Sequence, residues 1–342
     1  MRLSFEVKGI WIALFLIIAL QTASAASAPL LDQGPKAENL IDIGGRRLNL
    51  ECHGTGAPTV IFLQGAGSNI TIWKKISSQA ARLSRACFYD RAGFGYSDPS
   101  PRPLDLINVT NDLDALITAA HLPLPVVLVG HSLGGYYATT YARRLPSKVG
   151  GLVLVDPSFA GQFEYDPNPK DKAVVVAEFE DFIRGLKRCA TLARAGNLSL
   201  AENAKCFTMP PDLTSAESGY LEWQYTRPRF YEGSISEQLN FHPGADWTTS
   251  DDEEAKTLPA TLGSIPLEVL TAGVPETNPR KSDEGNQNFA QRWRRGHDAL
   301  AAMSTRGENI VVEGSGHAIQ LDKPDAVIDA IRKVVALVRN EK

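Results

Sequence analysis

A serine stands in a glycine-rich turn that would make its hydroxyl a nucleophile. The β-branched run Val126–Val129 leads into Gly130-His131-Ser132-Leu133-Gly134, and a helix-like pattern begins directly afterwards. A strand, a sharp Gly-x-Ser-x-Gly turn and a helix present a nucleophilic serine at the carboxyl end of the strand. Both glycines are needed because such a turn leaves little room for side chains. We predict that Ser132 is a nucleophile; the alternative is an ordinary strand–helix turn that contains a serine.

The base that a serine nucleophile needs is best supplied by His317. Histidine has an ordinary pKa near neutrality, as general-base catalysis requires. His317 follows the last predicted strand on the loop Gly314-Ser315-Gly316, which places it at the same edge of the sheet as Ser132. His131 occupies the variable position of the turn, and we expect it to point away from the site. We interpret His53 and His121 as structural. His242 lies on the inserted segment, and His297 lies on an arginine-rich helix.

A carboxylate should hold the imidazole in the correct tautomer and stabilise its protonated form. Asp156 ends the predicted strand after the Ser132 helix, and Pro157 restricts the turn that follows. Glu276 and Asp283 follow the next core strand and also lie between the serine and the histidine in chain order. We favour Asp156, with Glu276 second and Asp283 third. A strand-end aspartate that only caps a turn is the alternative interpretation of Asp156.

Two backbone amides are candidates for an oxyanion hole. The amide of Leu133 lies at a helix N-terminus, where developing negative charge is stabilised. The amide of Ala66 lies in Gln64-Gly65-Ala66-Gly67, directly after the short apolar strand Thr59–Leu63. A plain strand–helix turn is the alternative there. We assign Asp90 and Arg91 a structural role in bracing the glycine-rich loop 90–99, which they begin and which lies beside the site.

Short apolar strands alternate with helical patterns through most of the chain, which favours a doubly wound, mostly parallel α/β sheet. Sites in such sheets form at the carboxyl ends of strands. The alternation is interrupted at residues 158–264, which we predict to be an inserted helical lid whose aromatic residues wall an apolar pocket or form the lid's own core. The predicted core is residues 26–157 and 265–342. It resumes with a strand at 266–271, a polar stretch to residue 288, a helix at 289–303, and a final helix from Pro324.

Residues 1–25 resemble an export signal, with Arg2 and Lys8 before an apolar run and Ala23-Ser24-Ala25 as a cleavage site. An uncleaved membrane anchor is the alternative. Cleavage would remove two basic and one acidic side chain and change the net charge from −4 to −5. We expect a secreted or periplasmic protein with no later membrane span. A mildly acidic exported chain is a poor candidate for nucleic-acid binding, and no metal or organic cofactor is implied.

An oxidising compartment would allow the four cysteines to form disulfides. Cys52 and Cys87 lie in two predicted strands, whereas Cys189 and Cys206 lie in the later helical region on either side of a 16-residue loop. Pairing within regions gives Cys52–Cys87 and Cys189–Cys206. Four free buried thiols are the alternative.

The motifs together resemble the α/β-hydrolase superfamily over about residues 45–340. They are Gly65-Ala66-Gly67, Asp90-Arg91-Ala92-Gly93-Phe94-Gly95-Tyr96-Ser97, Gly130-His131-Ser132-Leu133-Gly134-Gly135, Leu152-Val153-Leu154-Val155-Asp156-Pro157 and Gly314-Ser315-Gly316-His317. The resemblance implies eight strands, the second beside the fourth, which would place Cys52 next to Cys87. The family often has histidine where this chain has Gln64. It usually carries aspartate after the seventh strand, where this chain offers Glu276 or Asp283, and this departure favours Asp156.

The leading hypothesis is an exported serine hydrolase that cleaves a small, apolar carboxylic ester through Ser132, His317 and Asp156. An aminopeptidase, amidase or lactonase would use the same residues, and the fold does not decide among these reactions. Serine in the turn argues against the haloalkane dehalogenase and epoxide hydrolase branches, which have aspartate there. A non-catalytic protein that binds a small apolar ligand is the hypothesis from a different class.

Overall fold

The computed structural model describes residues 39–163, 168–199, 205–207, 209, 213–243 and 247–341. The predicted export signal therefore lies outside the described residues. No helix within the described part of the chain is long and apolar enough to cross a membrane.

Eight strands form one mostly parallel sheet in the order β1-β2-β4-β3-β5-β6-β7-β8. Only the pairings of β1 with β2 and of β2 with β4 are antiparallel. The fold class predicted from the sequence is thereby confirmed. The strands are β1 (Leu40–Asp42), β2 (Arg47–His53), β3 (Val60–Leu63), β4 (Ala86–Tyr89), β5 (Val126–His131), β6 (Val149–Val155), β7 (Leu267–Ala272) and β8 (Gly307–Val312).

Helices cover both faces of the sheet, because the central strands are buried on both sides. In β3, Ile61 and Leu63 belong to the apolar core on one face, and Val60 and Phe62 belong to the core on the other. The helices are α1 (Lys74–Leu83), α2 (Leu106–Ala119), α3 (Leu133–Arg144), α4 (Pro169–Arg194), α5 (Ser215–Tyr225), α6 (Pro228–Phe241), α7 (Ser250–Lys256), α8 (Asp283–Ala302), α9 (Ile319–Asp322) and α10 (Pro324–Asn340).

Helices α4 to α7 are inserted between β6 and β7. They occupy the region predicted as a lid, and α4 packs against α6. Phe230 and Tyr231 of the insertion are buried in the same apolar cluster as Ile61 and Leu63 of β3, so these aromatics pack with the core of the sheet rather than in a separate core of the insertion. That the insertion acts as a lid remains a prediction.

Two boundaries differ from the expectation. Helix α8 begins at Asp283, six residues before the predicted start, because Ser282 caps it by accepting a hydrogen bond from the Gly285 amide. Its first turn lacks an apolar stripe, so periodicity alone places it in the preceding polar stretch. The segment between Cys189 and Cys206 is partly helical, because α4 continues to Arg194.

Both predicted disulfides are formed, Cys52–Cys87 and Cys189–Cys206. Cys52 and Cys87 are directly opposite each other in the antiparallel pair β2 and β4. The Cys52–Cys87 disulfide therefore links β2, near the antiparallel edge, to β4, which belongs to the parallel part of the sheet.

Candidate active site

Ser132 lies between β5 and α3 in a backbone conformation that residues other than glycine rarely adopt, with φ 52° and ψ −125°. The turn is held by close backbone approach. A Cβ atom on Gly130 would lie 2.5 Å from the Gly134 carbonyl oxygen, and one on Gly134 would lie 2.2 Å from the Leu63 carbonyl oxygen. The glycines are therefore required sterically, as the motif predicts. Strain of this kind, held by surrounding packing, is typical of functional positions.

His317 and Asp156 are brought together by the ends of two different strands. Asp156 directly follows β6, and His317 lies five residues after β8. His317 Nδ1 and Asp156 Oδ2 are 2.6 Å apart, a short hydrogen bond between an imidazole and a carboxylate. With Nδ1 occupied in this way, Nε2 is the ring nitrogen left to accept a proton.

The pair shifts the pKa of both partners in the direction of an ion pair. Burial disfavours the charged imidazole, but the hydrogen bond and charge of Asp156 outweigh it, so the pKa of His317 lies above its ordinary value. Burial likewise disfavours the carboxylate, but the hydrogen bond and charge of His317 outweigh it, so the pKa of Asp156 lies below its ordinary value. Asp156 is therefore ionised at neutral pH and stabilises a protonated His317.

The second oxygen of Asp156 is held by groups that the sequence analysis missed. Its Oδ1 accepts hydrogen bonds from the Ala272 amide at 2.9 Å and from Trp293 Nε1 at 3.0 Å. His297 lies behind this carboxylate, with its Nε2 2.9 Å from the Pro157 carbonyl oxygen. Trp293 lies on α8, in the arginine-rich run Arg292-Trp293-Arg294-Arg295.

His131 does not point away from the site, contrary to the expectation. Its ring lies 4.7 Å from the ring of His317, centroid to centroid, and its Nε2 is 3.0 Å from the His317 carbonyl oxygen. Burial and the nearby charge of His317 lower the pKa of His131 to about 3, so its ring is neutral. It lies behind His317 and supports the loop because the tight turn directs the residue before the serine inward.

The loop 64–67, after β3, lies directly against the serine. A Cβ atom on Gly65 would be 3.1 Å from Ser132 Cβ, so only glycine allows this approach without a shift of the neighbouring residue. No described residue accepts a hydrogen bond from the amide of Ala66 or of Leu133. The N–H groups of both predicted oxyanion donors thus have no acceptor among the described residues, at the carboxyl edge of the sheet.

Arg91 and Asp90 make structural contacts, but the loop that the Arg91 guanidinium holds is 64–67 rather than its own loop, 90–99. Arg91 Nη1 and Nη2 donate to the carbonyl oxygens of Gln64 and Gly65 at 2.5 and 2.8 Å. The carboxylate of Asp90 accepts hydrogen bonds from Asn49 Nδ2 and from the Ile70 amide.

The two alternative acids occupy different positions. Glu276 lines the same narrow cleft as His317 and Asp156, but His317 forms its hydrogen bond with Asp156. Asp283 is the first residue of α8 and is exposed.

A larger cavity of about 520 Å³ adjoins this cleft, and the two share Glu276 and Phe289. Its walls come from Phe163 and α4, from the segment after α6, and from α8 with the segment that leads into it. The lining includes apolar side chains from each wall: Phe163, Val175, Trp247, Pro279 and Phe289. Within the described residues, no group of three or more His, Cys, Asp and Glu side chains is arranged to hold a metal ion.

Comparisons with known proteins agree with this fold. A sequence model of the alpha/beta hydrolase family matches residues 60–330. The uncharacterized protein YqjL of Bacillus subtilis is 24% identical over 283 residues, which cover 82% of this chain and 85% of that protein. A thermophilic esterase from Thermogutta terrifontis has a similar structure, with a TM-score of 0.56, 21% identity, and coverage of 86% of this chain and 94% of that one.

Other curated relatives match over a shorter stretch. The pimeloyl-[acyl-carrier protein] methyl ester esterase of Chromobacterium violaceum is 38% identical over 113 residues, which cover 32% of this chain and 41% of that protein. Several further relatives match over less than two fifths of their own length.

Proposed function

The chain belongs to the alpha/beta hydrolase family, and from that premise we propose that it is a serine hydrolase that cleaves carboxylic esters through an acyl-enzyme. The observation that carries the proposal is the 2.6 Å hydrogen bond between His317 Nδ1 and Asp156 Oδ2, at the same sheet edge as the strained Ser132 turn. A nucleophile, a base and an orienting acid at one edge are the parts that acyl transfer needs.

In the proposed first half-reaction, Ser132 Oγ attacks the ester carbonyl carbon while His317 Nε2 accepts the hydroxyl proton. The carbonyl oxygen becomes an oxyanion and accepts hydrogen bonds from the amides of Ala66 and Leu133, which strengthen as its charge develops. Asp156 stabilises the imidazolium formed at this point. Collapse of the intermediate breaks the bond to the alcohol oxygen, which takes its proton from His317.

Deacylation repeats this sequence with water as the nucleophile. His317 accepts a proton from water, the hydroxide attacks the acyl carbon, and Ser132 leaves with the proton returned by His317. The products are a carboxylic acid and an alcohol. The apolar walls of the adjoining cavity support an apolar acyl or alcohol group as the substrate's larger part.

Ser132→Ala tests the proposal. Wild-type protein should hydrolyse a short-chain p-nitrophenyl ester and react with a fluorophosphonate probe at Ser132. The alanine variant should lose turnover by up to roughly 10⁶-fold and lose labelling while remaining folded, because the nucleophile, base and acid act as a unit. Ser158→Ala is a matched control, since Ser158 is a buried serine whose amide donates to the Ser132 carbonyl oxygen; it should keep its labelling.

A folded wild-type protein that neither reacts with the probe nor cleaves esters would contradict the proposal and favour the ligand-binding alternative. Parallel assays with a prolyl amide and a lactone separate the other hydrolytic reactions. The ester is favoured here because the Chromobacterium relative carries the name of a methyl ester esterase.

We further propose that the protein acts outside the cytoplasm. Two disulfides support this, because the cytosol keeps thiols reduced. N-terminal sequencing of the exported protein should give a start near Ala26. A chain that retains Met1 in the cell, with four alkylatable thiols, would contradict export.

A further inference from the structure

A carboxylate of the inserted segment reaches the loop that carries the Ala66 amide. Glu237 lies on α6 and is completely buried. Its Oε2 accepts a hydrogen bond from the Gly67 amide at 2.9 Å, and its Oε1 accepts one from Arg91 Nε at 2.6 Å. Residues 170 positions apart in the chain are thus directly connected.

Arg91 extends this connection to the other side of Ala66. It is 1% exposed, and its two terminal nitrogens donate to the carbonyl oxygens of Gln64 and Gly65. Burial disfavours the guanidinium charge, but the charge of Glu237 outweighs it, so the pKa of Arg91 lies above its ordinary value. Each member of the buried ion pair therefore needs the other, and both hold backbone groups of the same loop.

The planarity of the peptide bond converts these contacts into control of the oxyanion donor. The Gly65 carbonyl and the Ala66 N–H belong to one peptide plane and point in opposite directions. When Arg91 holds that carbonyl, it also sets the direction of the N–H. Glu237 holds the next plane through the Gly67 N–H, so the planes on both sides of Ala66 are fixed.

We propose that Glu237 is a positioning residue for the oxyanion hole. From α6 it fixes the direction of the Ala66 N–H through its contacts with Arg91 and the Gly67 amide. The inference rests on the proposed serine hydrolase function. Its consequence is that α6 is a fixed part of the active site, and that a shift of α6 relative to the sheet would misdirect the Ala66 amide.

Glu237→Gln is the first test. Glutamine keeps the size of the side chain but removes the charge that Arg91 requires. We expect kcat for a p-nitrophenyl ester to fall by about 10- to 100-fold, less than the 10²–10³-fold loss of a whole oxyanion donor. KM should change by less than about threefold, because the oxyanion forms only in the transition state. Glu232→Gln is the matched control, since Glu232 lies on the same helix but pairs with Arg194 at the surface; its kcat should not change.

Hydrogen exchange gives a readout that does not depend on activity. In wild-type protein the Gly67 amide should be protected by its bond to Glu237, and Glu237→Gln should speed its exchange. In the control variant Glu232→Gln, the amides of residues 64–70 should exchange at the wild-type rate.

A double variant, Arg91→Met with Glu237→Leu, separates positioning from stability. Removing both buried charges should keep the protein folded even if Glu237→Gln is not, because no unpaired charge remains. We expect its melting temperature to exceed that of a single variant with one unpaired buried charge, although the Gln64, Gly65 and Gly67 backbone groups lose their partners, and its kcat to remain low. Recovery of kcat together with stability would overturn the inference, as would unchanged kcat in Glu237→Gln. An inactive wild-type protein would instead refute the proposed function itself.

Discussion

At the scale of single residues, Asp156 and Glu276 differ in what they do for His317. Asp156 forms the short hydrogen bond to Nδ1, whereas Glu276 adds only a weaker charge interaction from the wall of the cleft. Asp156→Asn should reduce turnover by up to about 10⁴-fold, because the amide favours the wrong tautomer of the imidazole. Glu276→Gln, the matched control, should cost little. Steady-state kinetics on both folded variants measures this, and the reverse ranking would return the acid to the segment after β7.

The pKa of His317 predicts the acidic side of the pH profile. Its folded value lies above the ordinary 6.5, and only the neutral imidazole accepts the proton of Ser132. The ratio kcat/KM should therefore be high above that raised pKa and fall as the pH decreases through it. In Asp156→Asn the residual activity should fall at a lower pH, because burial then acts without the opposing carboxylate. A profile of the variant that falls at the same pH as the wild type would show that another group titrates.

At the scale of elements, the disulfide Cys52–Cys87 connects β2, near the antiparallel edge, to β4. The two disulfides close loops with sequence separations of 35 and 17 residues. Replacing Cys52 and Cys87 together by alanine should lower the free energy of unfolding by about 2–4 kcal/mol, since the bond restricts the unfolded chain. The Cys189 and Cys206 double variant should lose slightly less, because the cost of closure grows slowly with loop length.

Urea unfolding of the two double variants and the wild type under non-reducing conditions measures the difference. Equal stability of the wild type and the Cys52 and Cys87 variant would contradict the role of this bond. A change in the dependence of the unfolding free energy on urea concentration, with an unchanged midpoint concentration, would indicate a changed unfolded state instead.

At the scale of the whole molecule, the inserted helices are anchored to the core on two sides, with a cavity beside one of these anchors. On one side, Glu237 holds Gly67 and Gln224 of α5 accepts a hydrogen bond from the Gly95 amide at 2.8 Å. On the other side, Asp171 and Glu178 of α4 accept hydrogen bonds from Ser282 and Asn278, and the cavity of about 520 Å³ lies next to these contacts. We expect substrate to enter through this cavity, which adjoins the cleft of His317 at Glu276 and Phe289, rather than beneath α5 and α6.

A side chain that fills this cavity tests the path. Val175 lines it from α4, and Val175→Trp should raise KM for long-chain p-nitrophenyl esters by about tenfold or more through steric exclusion. Short-chain esters should be cleaved at nearly the wild-type rate. Ala173→Trp is the control, because Ala173 is exposed on the same helix. Equal effects on both chain lengths would place the substrate elsewhere.

Much of the fold and part of the site follow from local patterns in the sequence. The Gly-x-Ser-x-Gly turn is recognisable because its steric demands fall on residues within five positions of one another. The strands and α10 are recognisable because burial repeats with the period of each element: Val327, Ile331, Val334 and Val338 form one buried stripe. Chain order also restricts the acid to a few candidates, of which Asp156 is the one hydrogen-bonded to His317.

Only the tertiary structure decides which side chains meet across long separations. Trp293 reaches Asp156 over 137 residues, and Glu237 reaches Gly67 over 170, although neither stands in a pattern that indicates a site. Their partners depend on the strand order and on how α6 and α8 pack against the sheet edge. The expectation that His131 points away from the site is wrong for the same reason, since its position relative to His317 depends on the loop after β8. Local sterics and periodicity are properties of a few consecutive residues, whereas these contacts are properties of the assembled sheet and helices.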